Sequence, residues 1–256
     1  MRIALFITCL GETFYPRAGI AAVKVLEHLG HAVEFPEAQT CCGQPMMNNG
    51  YPEEAAVLAR RMIEIFAGYA AVVTPSGSCA AMVREQFHRL FEHDPAWAKR
   101  AADLSSRTFE FVEFLTKVAR VDLAAMGVRW EGSVTSHGAC HLRALGAVGQ
   151  TETLLRQIPG VRFTPPEGAE QCCGFGGMFA VKYPQISGSM VADKVANLRA
   201  TGCSTVVCGE PGCAMNIEGA CRRMAAKQPG KAPPRFLSLA EIIAEGLGLM
   251  SPEPKP

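Results

Sequence analysis

The cysteines of this chain recur at one spacing, and this internal duplication is the strongest constraint on its fold. Cys9 and Cys41 lie 32 residues apart, and Cys140 and Cys172 have the same separation. In both halves the second of these cysteines opens an adjacent pair followed by glycine, in the segments TCCGQP and QCCGFGG. Since no fold requires neighbouring thiols for its stability, the recurrence predicts two copies of one cysteine-bearing unit.

The correspondence between the halves extends beyond these cysteines. After each CCG comes a Tyr-Pro that opens a helical pattern, then an apolar run, a loop and one more cysteine, Cys79 or Cys213. Even the ends correspond, because RTFEFVEFLTKV in the first half aligns with RFLSLAEIIAEG in the second. We therefore predict an N-terminal repeat over residues 1–125 and a C-terminal repeat over residues 130–256, joined by GVRWEG.

Within each repeat, short apolar runs alternate with amphipathic helical patterns. This alternation is typical of βαβ units around a parallel sheet that is buried on both faces. The predicted fold class is therefore α/β, with two pseudo-symmetric Rossmann-like repeats, each a small parallel sheet flanked by helices. One helical stripe, formed by Ala55, Leu58, Met62 and Ile65, is predicted to belong to the core.

Several cysteines are placed differently from the core stripes. They follow apolar runs directly or after a few loop residues, so they lie at the carboxyl ends of predicted strands. Open α/β sheets collect their ligands at that edge. The cysteines in these positions are Cys9, Cys79, Cys140 and Cys213.

Composition limits the partners and the compartment. A total of 25 Lys and Arg against 24 Asp and Glu leaves a formal charge of +1, which gives no electrostatic footprint for a nucleic acid or an anionic membrane. The opening MRIALFITCL is interpreted as a first buried strand, and no apolar stretch approaches the roughly 18 to 20 residues of a membrane span. We expect a soluble, cytoplasmic protein whose thiols stay reduced, so the 11 cysteines indicate metal or redox chemistry.

Each predicted site contains four matched cysteines, a set that suits either a structural zinc ion or an iron–sulfur cluster. Adjacency favours a cluster, because consecutive side chains diverge and a cluster offers each thiolate its own iron atom. The glycine after the pair allows a positive φ and a close approach of the backbone to an inorganic core. Zinc and buried free thiols are the alternatives. The predicted ligands are Cys9, Cys41, Cys42 and Cys79 in the first repeat, and Cys140, Cys172, Cys173 and Cys213 in the second.

Three further cysteines, Cys203, Cys208 and Cys221, have no counterpart in the first repeat. Cysteines without a partner are usually small buried hydrophobes, and we interpret these three in that way. Cys208 is the exception to test, because it precedes Cys213 by five residues in the same loop and is therefore a candidate additional ligand.

Two histidines flank a predicted ligand in the second repeat only. His137 and His141 lie on either side of Cys140 in the segment HGACH. A histidine can ligate a cluster or tune it by hydrogen bonding to sulfur, although histidines in loops and caps are commoner. Both are candidates for a supporting role at the second site.

Six segments of the chain resemble the cysteine-rich CCG-domain family, which includes a cysteine-rich component of heterodisulfide reductase and the iron–sulfur subunits of glycolate and glycerol-3-phosphate oxidation. The segments are FYPRAG, FPEAQTCCGQP, PSGSC, CHLRALG, CCGFGGMFAVKYP and GCAMNI. The chain is most similar to the lactate-utilisation members of that family. The resemblance implies a cytosolic bacterial electron-transfer protein with one or two iron–sulfur clusters, of the 4Fe-4S type, which works with two companion proteins to oxidise L-lactate to pyruvate.

The chain departs from heterodisulfide reductase at the last element of each site. That protein has C-x-x-C there, giving five cysteines and a non-cubane cluster, whereas this chain has Met82 and Asn216 at the final positions. Ordinary four-cysteine clusters, a single cluster, and a variant that recruits Cys208 therefore stay open. With its CCGFGG and nearby histidines, the second repeat is expected to be the better equipped.

The sequence lacks a credible flavin or nicotinamide loop, because GFGG is not followed by the rest of a G-x-G-x-x-G that opens a helix. It also lacks the C-x₂-C-x₂-C-x₃-C-P run of ferredoxin-type clusters. These absences predict a redox subunit that depends on other proteins, and the family resemblance implies that they are a ferredoxin-like iron–sulfur partner and a third lactate-utilisation subunit. The alternatives are a zinc-binding or metal-free assembly module, and an enzyme that performs thiol or disulfide chemistry as heterodisulfide reductase does.

Overall fold

Each half of the chain builds its own four-stranded parallel sheet with helices around it. The computed structural model describes residues 1–147, 149–227 and 232–252, and the chain divides into the units Met1–Ala119 and Arg120–Pro256. The predicted α/β fold with two similar repeats is thereby confirmed.

The first unit contains the strands β1 (Arg2–Leu5), β2 (Ala32–Glu34), β3 (Ala71–Thr74) and β4 (Thr108–Glu110), in the order β2-β1-β3-β4. Its helices are α1 (Cys9–Phe14), α2 (Pro16–His28), α3 (Gln44–Asn48), α4 (Pro52–Ile65), α5 (Gly77–Ala81), α6 (Phe87–Leu90), α7 (Pro95–Ser106) and α8 (Phe111–Glu113). Two π-helical turns, Met82–Gln86 and Phe114–Val118, follow α5 and α8.

The second unit repeats this plan with the strands β5 (Gly132–His137), β6 (Val161–Phe163), β7 (Thr205–Cys208) and β8 (Arg235–Leu237), in the order β6-β5-β7-β8. Its helices are α9 (Cys140–Ala144), α10 (Gln150–Gln157), α11 (Met178–Lys182), α12 (Pro184–Ala200), α13 (Pro211–Ala226) and α14 (Leu239–Gly246). In the part of the chain that the structure describes, no helix combines the length and the apolar character needed to cross a bilayer.

The central strands explain why the apolar runs of the sequence are continuous. Every residue of β3 (AVVT) and of β7 (TVVC) is buried, because helices cover both faces of each parallel sheet. The edge strands β2 and β6 have no buried residue and carry charged side chains. The core of each unit therefore lies around its two middle strands.

The helices α4 and α12 start in equivalent ways. Both begin with proline, Pro52 or Pro184, at the first helical position, where the missing N–H breaks no helical hydrogen bond. The preceding tyrosines have similar backbone angles, φ −113° and ψ 65° in one and φ −130° and ψ 58° in the other. The two helices are thus in register, and Met62 of α4 corresponds to Lys194 of α12.

The buried face of α4 differs slightly from the predicted stripe. Leu58 and Ile65 were expected in the core, but both are only partly buried. The face is rotated towards small residues, which let the helix pack closely against its neighbours. The buried residues of α4 are Ala55, Ala56, Ala59, Met62 and Ile63.

The strand order determines where a ligand can bind. From β1 the chain passes through α2 to β2 on one side, and from β2 it returns through α4 to β3 on the other side of β1. The connections therefore diverge above the carboxyl ends of β1 and β3, which leaves a crevice at this switch point. The same holds for β5 and β7 in the second unit.

Candidate functional site

In both units the predicted cysteines lie at the carboxyl ends of three neighbouring strands. Cys9 and Cys140 are the first residues of α1 and α9, directly after β1 and β5. Cys79 and Cys213 lie in the first turns of α5 and α13, after β3 and β7. The adjacent pairs lie in the loops that follow the edge strands β2 and β6. The sheet topology thus collects residues that are far apart in the sequence.

The four thiols of the first unit form a connected group of sulfur atoms. The Sγ atoms of Cys9 and Cys41 are 3.9 Å apart, and those of Cys42 and Cys79 are 3.5 Å apart. Cys42 and Cys79 are buried, whereas Cys9 is exposed. Hydrogen bonds from Cys42 and Cys9 lower the pKa of Cys41 well below its ordinary value, so one thiolate is stabilised by its neighbours. The structure brings all four predicted ligands of this unit together.

The second unit brings together a different set. The Sγ atoms of Cys173 and Cys213 are 3.0 Å apart and buried, and the hydrogen bond between them lowers the pKa of Cys173 and raises that of Cys213. A ring nitrogen of His137 and these two sulfur atoms all lie within 4.8 Å of one another. Two thiols and one imidazole thus face each other in a buried space.

The other two predicted ligands of the second unit lie at the margin of this group. The Sγ of Cys140 is 3.7 Å from Nδ1 of His141, and this contact lowers the pKa of Cys140. The Sγ of Cys172 accepts a hydrogen bond from the backbone N–H of Gly174 at 3.4 Å, and burial raises the pKa of Cys172. His141 therefore contacts a thiol, but a different one from those near His137.

His137 is the candidate that the structure places most clearly. Its side chain is only 4% exposed, and neither ring nitrogen makes a hydrogen bond of good geometry with the described residues, although the imidazole helps to lower the pKa of Cys173. A buried imidazole without partners is costly unless it binds something, because buried polar groups are almost always satisfied. Phe6 stands three residues before Cys9, as His137 stands before Cys140, and it is fully buried. The first unit therefore has an apolar ring where the second has a nitrogen donor.

Asn216 and Met82, which stand where a fifth cysteine would complete each set, have other roles here. Asn216 donates a hydrogen bond from Nδ2 to the backbone carbonyl of Cys173 at 2.9 Å, so it fastens the loop that carries the cysteine pair. Met82 is 1% exposed and packs in the core of the first unit. Cys208, the other candidate, donates from Sγ to the carbonyl of Glu210 at 3.4 Å, and burial raises its pKa.

The glycines after the two pairs have the positive φ that the sequence predicts, 86° at Gly43 and 79° at Gly174. In the structure, the backbone of each glycine lies close to a helix, α4 for Gly43 and α12 for Gly174. A Cβ atom at Gly174 would lie 2.8 Å from the carbonyl oxygen of Ser187, and one at Gly43 would lie 3.4 Å from Ala55. These glycines therefore set the distance between each cysteine pair and its helix, α12 or α4.

Lys194 is a residue near the second site that sequence reasoning missed. Its side chain is fully buried, and Nζ donates to the carbonyls of Gly168 at 2.8 Å and Ala169 at 3.4 Å, just before the cysteine pair. Arg143 holds the next residue by donating to the carbonyl of Glu170 at 2.5 Å. The signal in the sequence was a lysine on the stripe of α12 that is apolar in α4, where Met62 stands.

The donor sets fit a thiolate-bound metal group. Soft thiolates and a neutral imidazole bind zinc and iron–sulfur clusters alike. The buried sulfur atoms of Cys42 and Cys173 and the unsatisfied nitrogens of His137 are the observations that carry this fit. The His/Cys group of the second unit therefore has the composition of a metal-binding site.

The chain is similar to known proteins over nearly its whole length. The profile of the Cysteine-rich domain family, CCG, matches residues 3–84 and 134–218. Lactate utilization protein A of Shouchella clausii is 45% identical over 226 residues, which are 87% of this chain and 92% of that protein. Lactate utilization protein A of Bacillus licheniformis is 41% identical over 244 residues, 95% of this chain and 99% of that protein.

A solved structure shares the fold at low sequence identity. The crystal structure of a hypothetical protein from Helicobacter pylori superposes with a TM-score of 0.68 at 9% identity, covering 96% of this chain. The chain spans 49% of the length of that protein, and the likeness concerns the fold alone. Each segment matched by the family profile contains one complete set of four cysteines. The chain therefore belongs to the cysteine-rich CCG-domain family, with one copy of the domain in each unit.

Proposed function

We propose that this protein is an iron–sulfur electron-transfer subunit of a multi-protein system that oxidises L-lactate to pyruvate. The observation that carries the proposal is the gathering of two cysteine sets at the carboxyl edges of two parallel sheets. Relatives at 41% to 45% identity are lactate utilization proteins, which supports a role in lactate utilisation.

The arrangement of the first site favours a cluster over a single zinc ion. Cys41 and Cys42 are neighbours in the chain, yet Cys41 contacts Cys9 while Cys42 contacts Cys79. Each thiol of the pair thus has a cysteine neighbour of its own, in addition to the hydrogen bond between Cys41 and Cys42. A group with several iron atoms accommodates four sulfur atoms spread out in this way more readily than one tetrahedral ion does.

The residues that would hold the two groups follow from the geometry of each unit. A bound cluster would supply reversible one-electron transfer. The chain itself would bind this cluster through its thiolates. It excludes water from the sites by burying four of the cysteines, Cys42, Cys79, Cys173 and Cys213. The proposed ligands are Cys9, Cys41, Cys42 and Cys79 in the first unit, and Cys140, Cys172, Cys173 and Cys213 with His137 in the second.

The proposed partners supply what this chain lacks in its sequence. A two-electron donor such as lactate needs a route to one-electron carriers, and the sequence contains no dinucleotide loop or ferredoxin-type cysteine run. We assign these functions to a ferredoxin-like iron–sulfur subunit and a third lactate-utilisation subunit, in the cytoplasm.

Metal analysis of protein purified without oxygen is the first test. We expect iron together with acid-labile sulfide in the wild type. The double variant Cys172→Ser/Cys173→Ser should lose the iron and sulfide of the second site and keep those of the first. Cys203→Ser is the matched control, because Cys203 is a partly exposed cysteine outside both predicted sets, and its Sγ donates a hydrogen bond to the backbone carbonyl of Thr201 at 3.9 Å. Iron and sulfide that stay at the wild-type amount in the double variant would contradict the assignment of the second site.

A reconstitution assay with an artificial electron acceptor tests the role as a subunit. The protein alone should not oxidise L-lactate, whereas the combination with both partners should, and each component is omitted in turn. Robust oxidation by this chain alone would overturn the subunit proposal. Full activity with the double serine variant would favour an assembly module.

A zinc site is the second candidate, and one observation favours it. His137, Cys173 and Cys213 offer one nitrogen and two sulfur ligand atoms within reach of one ion. Stoichiometric zinc without sulfide in the anaerobic preparation would support this candidate and reject the cluster.

A further inference from the structure

Lys194 lies inside the second unit as a buried cation without an anionic partner. Its side chain is 0% exposed, and its polar contacts are the carbonyls of Gly168 and Ala169. Among the described residues, no carboxylate forms an ion pair with Nζ. A buried ammonium is unfavourable unless a negative charge compensates it, so the position points to an anion that this site is built to hold.

The thiolates of the second site are the candidate for that anion. Burial lowers the pKa of Lys194, and the Arg143 guanidinium adds to this shift. The thiolates of Cys173, Cys172 and Cys213 oppose it. The two carbonyls that Nζ binds belong to the segment directly before the cysteine pair. Glu210, a buried acid of the second unit, acts on Cys208 and Cys213. The compensating charge is therefore that of the thiolates and of the group they bind.

The first unit shows that the fold does not require this lysine. Met62 occupies the corresponding position of α4 and is also fully buried. The register is fixed independently by the glycines after the pairs, because Gly43 approaches Ala55 and Gly174 approaches Ser187, which are themselves equivalent positions. One scaffold thus accepts an apolar side chain in one copy and a cation in the other.

We propose that Lys194 is a positioning residue whose buried charge makes the metal group of the second site easier to reduce than that of the first. The inference rests on the proposed function, because it needs a redox-active group bound by thiolates. When such a group takes up one electron from a reductant, its net negative charge increases. A fixed cation in a medium of low dielectric stabilises the reduced form more than the oxidised one, which raises the reduction potential.

Redox titration followed by electron paramagnetic resonance tests this assignment. The background is a Cys41→Ser/Cys42→Ser chain, so that only the second site is loaded, and dithionite is the reductant. Lys194→Met introduces the residue found in the first unit. We expect it to reduce the equilibrium constant for one-electron reduction about tenfold, a shift of roughly 59 mV to a more negative potential.

Two further variants separate charge from hydrogen bonding. Lys194→Arg keeps the charge, so its equilibrium constant for one-electron reduction should stay within about threefold of that of the background chain. Lys194→Gln keeps a donor for the Gly168 and Ala169 carbonyls but loses the charge. Its equilibrium constant should therefore fall as in Lys194→Met. Met62→Leu in the otherwise unsubstituted chain is the control for a change in helix packing.

The outcomes distinguish this inference from the proposed function. An unshifted potential in both Lys194→Met and Lys194→Gln, with iron and sulfide retained, overturns the inference alone. If Lys194→Gln keeps the potential of the background chain and only Lys194→Met shifts it, Lys194 has a purely structural role and the inference is overturned. Failure of all three variants to bind iron and sulfide leads to the same conclusion. A wild type without iron and sulfide rejects the proposed function, and the inference with it.

Discussion

Replacing Gly174 by alanine should destabilise the second unit far more than the equivalent replacement destabilises the first. Gly174 has φ 79°, and a Cβ there would lie 2.8 Å from the Ser187 carbonyl oxygen and 2.9 Å from Cβ of Met190. The left-handed backbone costs a non-glycine residue about 1–2 kcal/mol, and overpacking against a helix backbone costs about 1–3 kcal/mol more. We therefore expect the free energy of unfolding to fall by about 2–5 kcal/mol.

Gly43→Ala is the matched control for this prediction. Gly43 has φ 86°, but a Cβ there would meet nothing closer than 3.4 Å, at Ala55. Only the backbone contribution applies, so the expected loss is about 1–2 kcal/mol. The difference between the two variants measures the contact between the CCG loop and α12.

Urea unfolding of the reduced, metal-free protein, followed by circular dichroism, provides the measurement. Metal content gives a second readout, because displacement of the loop in Gly174→Ala should deplete the second site and leave the first loaded. A loss in Gly43→Ala equal to or larger than that in Gly174→Ala would refute the reasoning from the Cβ contacts.

Three other predictions concern the donors themselves. Cys42→Ser and Cys173→Ser should each deplete the metal of their own unit only, by roughly half of the total, since a hydroxyl is a poor ligand for soft metals; equal loss from both units in either variant would contradict two separate sites. His137→Phe, which installs the side chain found in the first unit, should stabilise the metal-free protein by about 1–3 kcal/mol in urea unfolding because an unsatisfied buried polar group is removed, while metal binding weakens. In metal-free protein, exposed Cys140 should react with iodoacetamide faster at pH 7 than exposed Cys9, because a neighbouring imidazole lowers the pKa of Cys140 while a thiol hydrogen bond raises that of Cys9. The lower pKa gives Cys140 more thiolate at neutral pH, so the difference in rate between Cys140 and Cys9 should shrink at alkaline pH. Equal rates at pH 7 would contradict the two pKa shifts.

The sequence alone sufficed to predict the central strands and the edge at which the cysteines gather. The continuous apolar runs of β3 and β7 are unambiguous, and a cysteine that follows such a run must lie at the carboxyl end of the strand. The duplication supplied the rest of the plan, because each weak pattern occurs twice. Proline after tyrosine marked the start of α4 and of α12 in both copies.

The orientation of individual side chains could not be predicted from the sequence. The stripe of α4 was wrong at Leu58, whereas Ile65 packs against the core without being fully buried. The direction in which a helix faces its sheet depends on packing partners from other elements. The division of the sulfur atoms, with Cys41 towards Cys9 and Cys42 towards Cys79, depends on loop geometry. Lys194 was overlooked for the same reason, since long cationic side chains are ordinarily exposed and only the fold reveals this one as buried.

The separation of the two cysteine sets along the chain has a consequence for biosynthesis. All four cysteines of the first set, and the whole sheet that positions them, lie within Met1–Ala119, before Cys140 has been translated. Domains generally fold as units while the ribosome adds about 5–20 residues per second, so roughly 5–20 seconds pass between the completion of residue 119 and the appearance of Cys213. If each unit binds a metal group as proposed, the nascent first unit can receive its group while the second is still incomplete. Under metal shortage during translation, the newly made chains would then carry the proposed first group more often than the second.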